Sequence, residues 1–113
     1  LSAVLFGAVG TAGQRCTSTR RIVVHKQIAS ELTRRLVKAY AGIRIGDPLA
    51  KGTLCGPLVD QVAVDNMQAA LALAKKEGGK VVYGGEVLAP GDGTTVIARI
   101  PLPGSDGKVV PCP

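Results

Sequence analysis

The chain has 113 residues, 46% of them hydrophobic, and carries 14 Lys and Arg against 8 Asp and Glu for a formal charge of +6. That length supports one modest core and argues against two independent domains. Three cysteines without a CxxC pair, and no charged leader ahead of an apolar core and small-residue cleavage site, point away from a disulfide-stapled secreted domain and towards a reducing, intracellular compartment.

The first segment, from Leu1 to Gln14, is uncharged. It is too short to span a bilayer and is interrupted by Gly7, Gly10 and Gly13, so no membrane partner is expected. A chain that opens on Leu in mid-run reads as an internal piece of a longer protein. A dinucleotide-binding turn needs GxGxxG opening an apolar-periodic helix, and an acidic residue after the next strand. Here the spacing is GxxGxxG, no such helix comes after Gly13, and His25 and Lys26 stand where the acid would be. A phosphate loop is excluded by the absence of Gly-Lys-Ser/Thr. Glycines three residues apart share one helical stripe, which predicts a buried helix packed closely on a neighbour, then a turn at Gly13 and a loop presenting Cys16. Arg15, Arg20 and Arg21 surround that thiol in sequence, a setting that favours the thiolate. The same residue is equally readable as a small buried hydrophobe, the common fate of a free cysteine.

After the loop, "RIVVH" predicts a strand over residues 20–25. Ile28, Leu32, Leu36, Ala39, Tyr40 and Ile43 recur at helical spacing and predict a helix over residues 28–43. "GIRIGDPLAKGTLCGPL" holds too many Gly and Pro for a regular element and predicts an irregular connection. A second helix is expected to begin near Asp60 and to end at Gly78 and Gly79, with Val62, Ala63, Met67, Ala70, Leu71 and Ala74 keeping the period. "KVVYGG" predicts a buried strand ending at a Gly-Gly turn. This order predicts an α/β architecture with a mainly parallel sheet. From Ala89 onward Pro90, Pro101, Pro103, Pro111 and Pro113 predict little packed structure.

Eight cations from Arg15 to Arg44 precede Asp47, opposed only by Glu31. Such a charge suits an anionic partner, and a small basic binding module is the rival to an enzyme. Aromatics at 3% leave little to stack on bases, so a solvated helix face is favoured over a nucleic-acid surface and no nucleic acid is expected. No metal site is expected either.

"AVGTAGQRCT" resembles the nucleophile segment of the NAD(P)-dependent aldehyde dehydrogenase superfamily, in which a GQxC stretch carries the catalytic cysteine. "RRIVVHKQIASEL", "AYAGIRIGDPLAKGTLCGPL" and "AKKEGGKVVYGGEVL" are similar, in order and spacing, to the segments downstream of that cysteine in the family. The wording "VGTAGQRCT" and "VKAYAGIRIG" is most similar to the antiquitin branch, the α-aminoadipic semialdehyde dehydrogenases. The resemblance covers roughly the first four-fifths of the chain. It implies a catalytic-domain fragment over residues 1–88 and a divergent Pro/Gly-rich tail over residues 89–113.

The resemblance also implies chemistry. Cys16 would attack an aldehyde, α-aminoadipic semialdehyde or one like it, the oxyanion would lean on the Cys16 N–H, and hydride would pass to NAD to leave a thioester for hydrolysis. Arg15 matches the position at which this branch holds a substrate carboxylate; the other reading is that it only biases the Cys16 thiol. Gln14 would shape the loop, and Cys55 matches no family role. In the family the second oxyanion donor (an Asn), the base (a Glu) and the nucleotide-binding domain precede this segment, and the tail contains no Glu where relatives carry E-x-F-G-P for the nicotinamide ribose. The 113-residue chain alone is therefore expected to be inactive, its parent a homo-oligomer in cytoplasm or mitochondria, and Cys112 without function.

Overall fold

The computed structural model describes residues 1–88 and the strand Pro101–Leu102. Helix α1 spans Ser2–Val9 and runs into a 3-10 turn, Gly10–Gly13. A loop without regular structure leads to α2, Lys26–Ala41; a long connection leads to α3, Gln61–Lys76; and strand β1, Lys80–Val81, pairs with β2, Pro101–Leu102.

Both long helices form where the apolar period predicts them, and local chemistry sets their ends. The Asp60 carboxylate caps α3 by accepting from the Ala63 N–H at 2.8 Å, which satisfies one of the donors that a helix start leaves without an intrahelical partner. Its other end is a Schellman motif: Gly78 adopts φ +88°, its N–H donates to Lys75 O, and the Gly79 N–H donates to Ala74 O at 2.7 Å. At the start of α2 the His25 ring accepts from the Gln27 N–H at 3.4 Å. On the solvent face of α2, Glu31 accepts from Arg34 and Arg35 at 2.7–2.8 Å, and those hydrogen bonds lower its carboxyl to a pKa of about 2. An exposed trio of this kind adds little to stability.

The core is small. Leu36 and Tyr40 from α2, Val64 and Leu71 from α3, and Cys55 from the connection are buried. Of the predicted α2 stripe, Leu36 and Tyr40 reach the interior while Ile28 stays exposed. The connection is irregular as expected, closed by a parallel bridge between Ile45 and Cys55 with Gly46 N–H donating to Cys55 O and Cys55 N–H to Arg44 O.

Three expectations are corrected. Residues 20–25 carry no strand, because strand composition alone does not make a ladder; Val23 is fully exposed. The sheet is not mainly parallel among the described residues: the β1 and β2 ladder is antiparallel, with Lys80 opposite Leu102 and Val81 opposite Pro101, and "KVVYGG" supplies only its first two residues to it. Helix α1 is not buried. None of its residues is buried and Phe6 is 72% exposed, since apolar residues occur all round this short helix and only one side meets α2. The expectation of little structure beyond residue 89 falls, apart from β2, outside the described residues.

Candidate active site

The loop that carries Cys16 grows out of an unusual turn. Thr11, Ala12 and Gly13 are all left-handed, with φ of 53°, 54° and 72°. Gly13 adopts this freely, whereas Thr11 and Ala12 each cost roughly 1–2 kcal/mol. The buried Cys55 thiol lies beside this turn, its sulfur 3.8 Å from Val9 O and 3.6 Å from Gly56 O. Burial pushes the Cys55 thiol above its ordinary 9.0, an effect the Ala12 N–H only partly offsets. Above the turn, the Gln14 N–H donates to Thr11 O at 3.1 Å.

Gln14 also ties the loop to the rest of the chain. Its amide nitrogen donates to Thr11 O at 3.3 Å and its amide oxygen accepts from the Val59 N–H at 3.1 Å. One side chain thereby joins the turn before Cys16 to the end of the long connection, which is the loop-shaping place expected for it.

Past Gln14 the backbone closes on itself. The Arg15 N–H donates to Ser18 Oγ at 3.1 Å, and the Ser18 N–H donates back to Arg15 O at 3.1 Å. The Arg20 guanidinium donates to the same Arg15 O at 3.1 Å. The Thr19 N–H then donates to Gly7 O at 2.9 Å, which pins the returning chain onto α1. Gly7 makes that approach possible, since a Cβ on it would lie 2.5 Å from Thr19 Oγ1. The small-residue stripe therefore packs against the chain's own returning loop.

Cys16 sits at the tip of this closed loop with its side chain exposed, and Arg15 beside it is exposed too. Among the described residues no acceptor takes the Cys16 N–H. The structure thus presents a thiol, an available backbone donor on the same residue and a guanidinium one residue away. A hollow lined by Val81, Tyr83 and Leu88 among others lies at β1 and includes neither Cys16 nor Arg15. No three His, Cys, Asp or Glu side chains converge among the described residues, and no helix there is long and apolar enough to cross a membrane.

A profile of the aldehyde dehydrogenase family matches residues 1–99. The chain belongs to the aldehyde dehydrogenase family. It is 55% identical over 84 residues to the alpha-aminoadipic semialdehyde dehydrogenase of Bos taurus, covering 74% of this chain and 16% of that protein. To a putative aldehyde dehydrogenase family 7 member A1 homolog of Dictyostelium discoideum it is 46% identical over 110 residues, covering 97% of this chain and 22% of that one. A solved aldehyde dehydrogenase from Bacillus cereus, in complex with NAD+, superposes with a TM-score of 0.77 at 28% identity over 84% of this chain and 19% of that one. The fold class of the chain is α/β, that of these aldehyde dehydrogenases. The chain spans about a fifth of the length of the curated relatives it matches.

The contacts that sequence reading missed are those made at a distance. Val59 contributes only a backbone N–H, which no residue pattern announces. Arg20 was visible as one of a cluster of cations, but not as the donor to Arg15 O. Cys55, for which the sequence offers no role, is buried, with its sulfur 3.8 Å from Val9 O at the entry to the turn that leads to Cys16.

Proposed function

We propose that residues 1–88 are the nucleophile-bearing piece of an aldehyde dehydrogenase catalytic domain, with residues 89–113 a divergent tail, and that Cys16 is the nucleophile. One observation carries this reading: Cys16 is exposed at the tip of a loop cross-braced by Gln14, Ser18 and Arg20, with its own N–H taken by no acceptor among the described residues. The Cys16 thiolate adds to the aldehyde carbon, and the carbonyl pair moves to oxygen, where the Cys16 N–H receives it. Arg15, one residue away, holds a carboxylate at the far end of the substrate, a task suited to a planar fork of donors. α-Aminoadipic semialdehyde, named for the bovine relative, is an aldehyde of that kind.

Oxidation of the adduct requires a hydride acceptor, proposed to be NAD because the Bacillus cereus relative was solved with it. The described residues do not form a dinucleotide cradle: the left-handed turn ahead of Cys16 commits the Gln14 N–H to Thr11 O, and no acidic residue stands before α2, which His25 caps. The acceptor's site, the base for hydrolysis and the second oxyanion donor are proposed to lie on other parts of a full-length enzyme, itself a homo-oligomer of the cytoplasm or mitochondria. In that full-length protein Cys16→Ser is expected to reduce aldehyde-dependent NADH formation, followed by absorbance, to background while leaving the far-ultraviolet circular dichroism unchanged. Turnover that survives the substitution overturns the assignment.

A further inference from the structure

We propose that Arg20 is a positioning residue that sets the direction and strength of the Cys16 N–H as an oxyanion donor, an inference that rests on the reading of Cys16 as nucleophile. The Arg15 carbonyl and the Cys16 N–H are the two edges of one peptide unit. There is no cis peptide among the described residues, so the two groups point in opposite directions across a rigid plane. Fixing one fixes the other. Arg15 O accepts from two sides, from the Ser18 N–H at 3.1 Å and from Arg20 Nη2 at 3.1 Å. Both lone pairs of the carbonyl are thereby used, and the plane cannot rotate without breaking a bond.

The outward edge is then the Cys16 N–H, which no acceptor among the described residues takes. It stands on the residue whose sulfur forms the new bond to the aldehyde carbon, so the carbonyl pair displaced onto oxygen develops beside it. A donor fixed before reaction needs no reorganisation as that charge appears. The Arg20 contact does more than the Ser18 contact because the donor is charged. A cation hydrogen-bonded to the C=O edge polarises the peptide and makes its N–H edge a stronger donor. Arg20 reaches from four residues beyond Cys16, and its hydrogen bond is to Arg15 O rather than to the thiol, so its action on Cys16 passes through the peptide.

The test compares two reactions of the same sulfur in the full-length protein. Addition to an aldehyde develops an oxyanion, whereas alkylation by iodoacetamide breaks a carbon–iodine bond and places no charge on oxygen. Removing an oxyanion donor outright costs roughly 10²–10³ in rate; because Arg20→Met leaves the N–H present but unbraced, kcat/KM for aldehyde oxidation is expected to fall about tenfold. The alkylation rate of Cys16 is expected to stay within about twofold, and Arg20→Lys, which keeps one charged donor, to recover part of the loss. If Arg20→Met does not fold, Arg20→Lys is read on the same two reactions, with a smaller loss of about threefold expected in the first only. Equal losses in both reactions, or no loss in aldehyde oxidation, overturn the proposal and leave Cys16 as nucleophile. Full turnover by Cys16→Ser overturns the nucleophile and this inference with it.

Discussion

The contact between Gly7 and Thr19 is a sensitive test of how the loop is held, because a single methyl group acts there in two opposed ways. Gly7 lies inside α1, and replacing an interior helical glycine by alanine is worth about 1 kcal/mol in helix propensity. Against that, the new Cβ would sit 2.5 Å from Thr19 Oγ1. Thr19 is β-branched and stiff, and its N–H is bonded to Gly7 O at 2.9 Å. It yields by leaving its χ1 rotamer or by moving backbone, at an overpacking cost of about 1–3 kcal/mol, and any loss of the Thr19 bond adds about 0.5–1.5 kcal/mol. The packing penalty outweighs the propensity gain, so Gly7→Ala is expected to destabilise by about 1–2 kcal/mol.

Removing the obstruction should reverse the sign. Thr19 Cβ would be 3.6 Å from the new methyl, an ordinary contact. In the Thr19→Ala background, Gly7→Ala therefore keeps its propensity gain and stabilises by up to about 1 kcal/mol. Urea unfolding of the wild type, the two single variants and the double variant closes the cycle. Gly7→Ala acting with the same sign in both backgrounds, or stabilising the wild type, would refute the reasoning.

Two further outcomes are expected. If Arg15 holds a carboxylate, Arg15→Ala in the full-length protein should raise KM for an ω-carboxy aldehyde by about tenfold or more while leaving that for a neutral aldehyde of similar length nearly unchanged; equal losses would assign Arg15 no part in choosing the substrate. Burial raises the ionisation of Cys55 above 9.0 and that of Tyr40 above 10.0 in the folded state, so the stability these groups contribute is full below their unfolded values and is lost as pH rises through the folded ones. The urea midpoint should accordingly be flat from pH 7 to about 8.5 and fall above about 9, and Cys55→Ala should weaken that alkaline fall; a midpoint that rises with pH there would contradict the linkage.

Much of this protein is written in short-range pattern. The period of Leu36 and Tyr40, the Asp60 cap and the Gly78–Gly79 stop determine α2 and α3, because a helix bonds within its own segment and its ends are set by residues three or four positions away. The placement of Cys16 in a loop after a glycine-spaced helix is local in the same sense. Whether "RIVVH" is a strand, whether α1 is buried, and what braces the nucleophile loop are not local questions. Residues 20–25 have the β-branched composition of a strand yet carry no strand among the described residues, since a ladder needs a second segment that no property of the first supplies. Gln14 reaches Val59 across 45 positions, and the Cys55 sulfur meets Val9 O across 46. Their partners are backbone groups that almost every residue possesses. Sequence composition cannot single out such groups; only the path of the chain brings one particular N–H within reach of one particular side chain.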